Sequence, residues 1–351
     1  MELVIPFREF LKQETMKNNI IILLILFIST IPAFAQETKT DNFDFPVLKG
    51  TYLGQTPPGL VPEIFASGII STDKGELNAI FSPDGKEFYF TIEVVPGRSY
   101  STYLMQQENN VWSEPKVEPL LLNYKGGEPS ISPDGKYLFF RSMLDENGND
   151  QSNADIWRLN RNSNNSNKLT KIGIAVNSKF NEAYPTLSNN NNLYFHSNRK
   201  GGKGGVDIYF SNYVNENYIG STNIGDSINS ETHEFHPCIS PDGSYVIFTS
   251  LNRPDGVGGL DLYISFRKKD ESWTKAKNLG KNINSEANDY MPYISYDGKY
   301  LFFTSTRINL TKNSNESINS TNHIKGAQYG KPDIYWVSTK IIDELKSNYL
   351  R

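Results

Sequence analysis

The sequence predicts an all-β protein, a β-propeller of about five four-stranded blades closed by an amino-terminal strand. Three observations carry this prediction: a hairpin motif that occurs five times, a strand motif that occurs four times, and a glycine-asparagine-acid spacing between copies. The chain has 351 residues, of which 37% are apolar and 13% aromatic, so it is long enough to bury a large core.

The hairpin motif is a short apolar strand, a turn, and an aromatic-rich strand. Its five copies are marked by a serine that opens the turn, at Ser82, Ser132, Ser188, Ser240 and Ser295. By subtraction the copies are 50, 56, 52 and 55 residues apart, a period typical of propeller blades. Proline fixes φ in the turn and glycine tolerates its left-handed position, so each copy predicts a hairpin.

A second motif predicts a third strand in the blades. It has an aspartate followed by alternating apolar residues, and its copies start at Asp155, Asp207, Asp261 and Asp333. The first blade departs from it, with Ser101-Thr102-Tyr103 at this place.

A third pattern marks the crossings between blades. Gly173, Gly225 and Gly280 are each followed four residues later by asparagine and nine residues later by an acid. We expect the fourth strand of a blade to end near each glycine, and the Asn-Ser pair after it to lead into the next inner strand.

The two ends of the repeat region are expected to close one ring. Residues 63–71 carry the register of a fourth strand without its own blade, whereas the fifth blade stops after Asp333–Ser338. We therefore expect residues 64–70 to pair with Asp333–Ser338, which protects strand edges that an open array exposes.

The amino-terminal residues 1–35 predict a secretory signal peptide. Lys17 provides the positive charge, residues 20–31 an apolar run of about twelve residues, and Ala33-Phe34-Ala35 the cleavage site before Gln36. Met16 is the expected initiator. About 20 residues are needed to span a bilayer, so we expect an exported, soluble periplasmic or extracellular protein without a permanent membrane span.

The remaining chain divides into a linker (36–61), the propeller (62–342) and a tail (343–351). A formal net charge of −4 gives no general attraction for nucleic acid. The single cysteine, Cys238, excludes an intramolecular disulfide and a paired-thiol centre. We expect a monomer that needs no cofactor.

These repeats resemble the TolB-type, WD40-like propeller family. The resemblance rests on the Ser-Pro-Asp-Gly hairpins, on Ser-x-Arg at Arg199 and Arg307, and on the Asp-Ile-Tyr strands, and it covers about 62–342. It implies a propeller, with a six-bladed ring as the alternative. The family includes scaffolds, polysaccharide lyases and domains of peptidases, so fold transfers better than function. TolB proteins also carry an amino-terminal α/β domain, for which residues 36–61 leave no room.

Two sets of residues are predicted near one mouth of the central channel. The first set lies four residues before each motif serine, where the residue type varies from blade to blade, and it forms a candidate ligand-binding surface. Its members are Asn78 in the first blade, followed by Glu128, Tyr184, His236 and Met291. Repeated acids, six residues before the serine, are Glu76, Glu182, Glu234 and Asp289. The acids fit either a cation-attracting ring or acceptors for backbone amides at the crossings, and the second interpretation is favoured.

No catalytic residue or metal site is assigned from the sequence. His233 and His236 are three residues apart, which on an extended strand points them to opposite faces. The favoured function is a non-enzymatic binding or scaffold protein that engages an envelope protein or a glycan. The alternative is a carbohydrate-active enzyme such as a propeller polysaccharide lyase.

Overall fold

The computed structural model describes residues 45–95, 99–162, 169–308 and 330–349. The expected signal peptide, 1–35, lies outside these residues. The compact unit described below comprises Val47–Arg351. No helix in its described part is long and apolar enough to cross a membrane.

Five antiparallel sheets form the five blades, and their strands run from the axis outward in chain order. Blade 1 contains β2 (Glu76–Phe81), β3 (Glu87–Val95), β4 (Ser99–Glu108), and an outer strand split into β5 (Val111–Trp112) and β6 (Lys116–Val117). Blade 2 contains β7 (Gly127–Ile131), β8 (Tyr137–Leu144), β9 (Asp150–Asn160) and β10 (Leu169–Lys171). A short helix, α1 (Pro119–Asn123), precedes blade 2.

The next two blades repeat this order. Blade 3 contains β11 (Glu182–Leu187), β12 (Leu193–Ser197), β13 (Asp207–Val214) and β14 (Asn217–Asn223). Blade 4 contains β15 (His233–Ile239), β16 (Tyr245–Leu251), β17 (Leu260–Phe266) and β18 (Lys277–Asn278). The fourth strands end just before Gly173, Gly225 and Gly280, as predicted.

Blade 5 takes its outer strand from the other end of the repeat region. It contains β19 (Asp289–Ile294), β20 (Tyr300–Ser305), β21 (Asp333–Ser338) and, on the outside, β1 (Glu63–Ile64). The inner strands contact one another in the cyclic order β2, β7, β11, β15, β19 and back to β2. The predicted five-bladed propeller is confirmed, and the six-bladed alternative does not apply.

The ring closes between the two segments expected from the sequence, but fewer residues pair than the expected 64–70. Glu63 lies opposite Trp336 and Ile64 opposite Tyr335, and the Phe65 amide donates to the Ile334 carbonyl at 2.8 Å. The Phe65 side chain is fully buried between the first and last blades. It packs against four rings, those of Phe81, Phe88, Phe302 and Trp336.

The hairpin turns explain why serine and aspartate recur in them. In blade 1 the Ser82 hydroxyl donates to Asp84 at 2.6 Å and accepts from the Glu87 amide at 2.9 Å, so two side chains hold the turn closed. Gly85 has φ +68°, the left-handed region that favours glycine. In the third copy Asn191 takes this position with φ +61°, which explains how blade 3 makes its turn without glycine.

Both segments that flank the predicted propeller pack against it. Within the expected linker, Tyr52 is buried among aromatic rings and its hydroxyl donates to Asp297 at 2.7 Å. Residues 343–349 of the expected tail belong to a helix, α2 (Lys340–Tyr349), whose Ile341 and Ile342, just before the tail, are buried in the core between blades 4 and 5 and whose Leu345 packs against that core. Apolar residues at these positions anchor the segments because burial removes their surface from water.

The closure predicts the effect of replacing Phe65. Phe65→Ala removes the ring that joins the first and last blades, so we expect the free energy of unfolding to fall by about 3–5 kcal/mol. Urea unfolding of the variant measures this loss, with the exposed Leu60→Ala as control. A loss below about 1 kcal/mol for Phe65→Ala would contradict the closure.

Candidate functional site

Each inner strand carries a β-bulge at the variable position predicted from the repeats. The five residues there adopt left-handed φ values between 48° and 55°, at Asn78, Glu128, Tyr184, His236 and Met291. The pairing with the second strand shifts register at each of these places. Proline follows the bulge residue in four of the five blades, which fits because proline in a sheet is confined to edges and bulges.

The bulge turns a backbone N–H toward the second strand of the preceding blade. The Asn78 amide donates to the Thr304 hydroxyl at 3.2 Å, and the Met291 amide donates to the Thr249 hydroxyl at 3.3 Å. In blade 4 the His236 amide donates to His196 Nδ1 at 3.2 Å. These contacts join the blades around the axis.

Blade 2 has arginine at the position of this threonine, and the acceptor changes accordingly. The Tyr184 amide donates to Glu128 Oε2 at 2.8 Å, while Arg141 Nε lies 3.3 Å from Glu128 Oε1. Arginine has no acceptor, so a carboxylate must take the amide here. Glu128 and Arg141 therefore act together in place of one threonine.

A side chain plugs the axis of the ring. The Tyr184 hydroxyl reaches Asn78 Oδ1 of blade 1 at 3.2 Å and the Pro292 carbonyl of blade 5 at 3.3 Å. Its ring meets that of His236 edge-on at 4.8 Å. Cavities of about 130 Å³ and about 600 Å³ adjoin this plug.

The repeated acids are buried and hydrogen-bonded. Glu182 accepts from the Ser178 amide at 2.8 Å and from the Ser178 and Ser197 hydroxyls, both at 2.7 Å, and Arg199 Nη2 donates to it at 2.9 Å. The same arrangement recurs in the next two blades, at Glu234 with Ser230 and Arg253, and at Asp289 with Ser285 and Arg307. We call each such set of acid, serine and arginine an acid clamp.

Sequence reasoning missed the arginine of the acid clamp. The Arg199 guanidinium lies over the rings of Phe195 and Tyr209, at 5.2 and 4.7 Å from their centroids, and donates to the Val176 carbonyl at 2.6 Å. The available signal was the Ser-x-Arg pattern of blades 3 and 5. Blade 4 does not show this pattern, because two residues instead of one separate Arg253 from Ser250.

Blades 1 and 2 lack the complete clamp. In blade 1 Val94 occupies the position of the arginine, and among the described side chains Thr72 alone bonds to Glu76. Burial raises the pKa of Glu76, and the hydrogen bonds from Thr72 oppose this rise to a smaller extent. In blade 2 the acid is replaced by Gly126, and the Asn-Ser pair by Leu121 and Leu122.

No side chain fits at Gly126. A Cβ there would lie 2.8 Å from Phe140 Cδ2, closer than real contacts allow. The crossing from blade 1 to blade 2 is instead made by α1, whose Leu121 is fully buried. The clamp is thus replaced by apolar packing, and the larger cavity opens beside it.

The larger cavity has a polar floor and a largely apolar rim. The floor contains Asn78, Thr91, Thr102 and the Glu128–Arg141 pair. The rim carries Tyr100, Leu122 and Met143, which are 45%, 56% and 39% exposed. Tyr290 and Met291 of blade 5 line the cavity as well, so three blades contribute to it.

The structure brings only part of the predicted set together. Glu128 and Met291 line the larger cavity, Glu128 and Tyr184 the smaller one, and His236 packs beside the plug. Glu182, Glu234 and Asp289 line neither cavity and have no exposed surface. Their geometry favours the structural interpretation. Within the described residues no group of three or more His, Cys, Asp and Glu side chains is placed to hold a metal ion.

Burial keeps the two histidines beside the plug uncharged. Burial lowers the pKa of His196 to about 4, while Glu128 raises it and Arg141 lowers it to smaller extents. Burial, and then the neighbouring His196, hold the pKa of His236 well below its ordinary value. Both rings therefore oppose protonation in the folded state.

The acid clamp predicts a loss of stability when its acid is removed. Glu234→Ala leaves Arg253 buried without its carboxylate, so we expect the free energy of unfolding to fall by about 3–5 kcal/mol. Glu231→Ala, an exposed acid in the same crossing, is the control and should change stability by less than about 0.5 kcal/mol. Equal effects of the two substitutions in chemical unfolding would contradict the clamp.

The two partly buried histidines, His196 and His236, predict a loss of stability in acid. A histidine whose folded pKa is lowered binds fewer protons than in the unfolded chain, so stability falls as pH drops from about 6.5 toward 4. His196→Thr copies the threonine of blades 4 and 5 and removes the titrating ring. We expect the loss between pH 7 and pH 4 to be smaller in this variant by about 3 kcal/mol. Identical pH profiles in urea unfolding would refute this assignment.

Comparisons with known proteins were made at three levels. No protein-family model and no curated protein matches the chain. Among solved structures, TolB from Acinetobacter baumannii has 14% identity and a TM-score of 0.45 over 76% of this chain and 57% of its own, less than two thirds of its length.

Two further structures cover more of their own chains. A candidate TolB from Agrobacterium tumefaciens has 15% identity and a TM-score of 0.46, over 76% of this chain and 90% of its own. An α-L-arabinofuranosidase from Lactobacillus brevis has 12% identity and a TM-score of 0.47, over 78% and 92%. The repeats that resemble the TolB type fold into a five-bladed β-propeller.

Proposed function

We propose that this protein is an exported binding or scaffold protein that engages an envelope protein or a glycan through the larger cavity. The observation that carries the proposal is the position of that cavity. It lies at the crossing from blade 1 to blade 2, where the acid clamp is replaced by apolar residues and a glycine. A concave site with a few placed polar groups on a rigid ring is typical of ligand binding.

Export rests on the amino-terminal segment. Cleavage before Gln36 would release the chain into the periplasm or the extracellular space, as a monomer without a membrane span. The net charge of −4 favours neither nucleic acid nor an anionic lipid surface.

A carbohydrate-active enzyme is the second candidate, because two carboxylates, Glu93 and Glu128, line the same cavity. The Glu128 carboxylate accepts from the Tyr184 amide with one oxygen and pairs with Arg141 through the other, so both of its oxygens are engaged within the protein. A general acid or base needs an oxygen within hydrogen-bond reach of the substrate. These contacts support binding over catalysis, and release of reducing or unsaturated sugars from envelope glycans would reverse that preference.

The proposal predicts that blocking the cavity abolishes partner binding without unfolding the ring. Leu122 is exposed on the rim, so Leu122→Arg places a long charged side chain at the mouth at little cost in stability. Ile174 is fully exposed at the next crossing and lines neither of the two cavities beside the plug, so Ile174→Arg is the matched control.

The measurement is capture from a solubilised envelope fraction by immobilised mature protein, with melting temperatures of all variants. We expect wild type and Ile174→Arg to retain the same captured component and Leu122→Arg to lose it. Retention by all three, at equal melting temperatures, would contradict the cavity as the binding site.

A further inference from the structure

The polar floor of the larger cavity contains an amide group that lacks a partner. Asn78 is 2% exposed, and its Oδ1 accepts from the Tyr184 hydroxyl, but its Nδ2 has no hydrogen-bond partner among the described residues. A buried donor without an acceptor is destabilising, because it has lost its hydrogen bonds to water. The occupant of the cavity is therefore expected to bring an acceptor to Asn78.

The charges on the cavity wall are balanced. The wall has two acids, Glu93 and Glu128, and two bases, Lys125 and Arg141. Glu128 pairs with Arg141, Lys125 pairs with Asp150, and Glu93 accepts from the Tyr100 hydroxyl at 3.4 Å. A charged ligand would lose hydration here without gaining an excess of opposite charge, which favours a neutral ligand.

The floor offers donors and acceptors close together. The Thr91 and Thr102 hydroxyl oxygens are 3.3 Å apart, and each can donate one hydrogen bond and accept others. Arg141 carries five N–H groups, more than its contact with Glu128 uses. Adjacent hydroxyls of a ligand match such a floor, because each of them both donates and accepts.

The rim complements this floor with apolar surface. Tyr100, Leu122 and Met143 stand exposed around the mouth and would pack against the C–H faces of a ring. Two residues of the floor, Asn78 and Glu128, bond to Tyr184 and separate the cavity from the axis, so a chain-like ligand enters with one end first. The volume of the cavity, about 600 Å³, lies within the range of small-molecule sites, about 300–1,000 Å³.

We propose that the larger cavity binds the terminal residue of an uncharged glycan, with its hydroxyls on the Asn78–Thr91–Arg141 floor and its C–H face on the Tyr100–Leu122–Met143 rim. This inference rests on the proposed binding function and narrows its ligand to one class.

Calorimetric titration of the mature protein tests the ligand class. The probes are neutral oligosaccharides of glucose, galactose, mannose, xylose and arabinose, with uronate oligosaccharides of equal length and with neutral and basic tripeptides. We expect at least one neutral oligosaccharide to bind and its uronate counterpart to bind at least about tenfold more weakly. Preference for a uronate or a tripeptide, or no binding by any neutral sugar, overturns the proposal.

Three variants locate the sugar in the cavity. Asn78→Gly keeps the left-handed backbone and removes the amide, and Tyr100→Ala removes the aromatic face, whereas Tyr100→Phe retains it. We expect about a tenfold loss of affinity for the first two and a smaller loss for Tyr100→Phe. Ile174→Ala is the control. Unchanged affinity in Asn78→Gly and Tyr100→Ala overturns the site.

The outcomes separate this inference from the proposed function. Capture of an envelope component that depends on Leu122, together with no binding of neutral sugars, overturns the glycan and leaves the binding function intact. Sugar binding that is unaffected by Leu122→Arg overturns the sugar site in this cavity, and the cavity as the partner-binding site is overturned only if capture is unaffected as well.

Discussion

The propeller depends on a carboxylate buried at the crossings between its blades. An ionised acid without exposed surface is costly unless it is paired and hydrogen-bonded, and Glu182, Glu234 and Asp289 meet both conditions. Each acid fixes the first residues of an inner strand to the loop before it through serine, and to its own blade through arginine. The arginine lies over two aromatic rings, so packing and charge fix the same position.

The larger cavity lies at the crossing where the acid clamp is missing. Three consecutive blades carry the clamp in full, and they provide a rigid frame. Where Gly126 replaces the acid, the crossing has no buried charge to satisfy and α1 fills the space with leucine. The cavity beside it is lined in part by Leu121 and Leu122, which occupy the positions of the Asn-Ser pair in the clamped blades. A binding site placed there can vary without weakening the other crossings.

The sequence predicted the parts of the fold that depend on local chemistry. The period of the motif serines, the turn residues and the register before Glu76 predicted five blades and their closure, because each is a short-range pattern. The sequence favoured the acids as acceptors of backbone amides, and each of the three accepts from the amide of the serine four residues before it. Their arginine partners were missed because they follow the acids by 17 to 19 residues, and Arg253 also breaks the Ser-x-Arg spacing.

The candidate site was predicted less completely, for a physical reason. Glutamate, tyrosine and methionine rarely adopt positive φ, so these residue types gave no indication of a bulge at Glu128, Tyr184 and Met291, and the prolines that follow them were the available signal. The bulge positions were nonetheless identified by their variation, and Glu128 and Met291 do line the cavity. The other walls of the cavity come from α1 and from blades 1 and 5. That these segments meet beside an unclamped crossing is seen only when the blades are compared in three dimensions.

Hydrogen exchange measured by mass spectrometry tests the central claim, that the acid clamp sets the rigidity of each crossing. The equivalent segments are 117–126, which lacks the clamp, and 173–182, 225–234 and 280–289, which carry it. Local stability governs exchange in native proteins. The account predicts slow exchange in the three clamped segments and markedly faster exchange in 117–126. Equal protection of all four segments would contradict it.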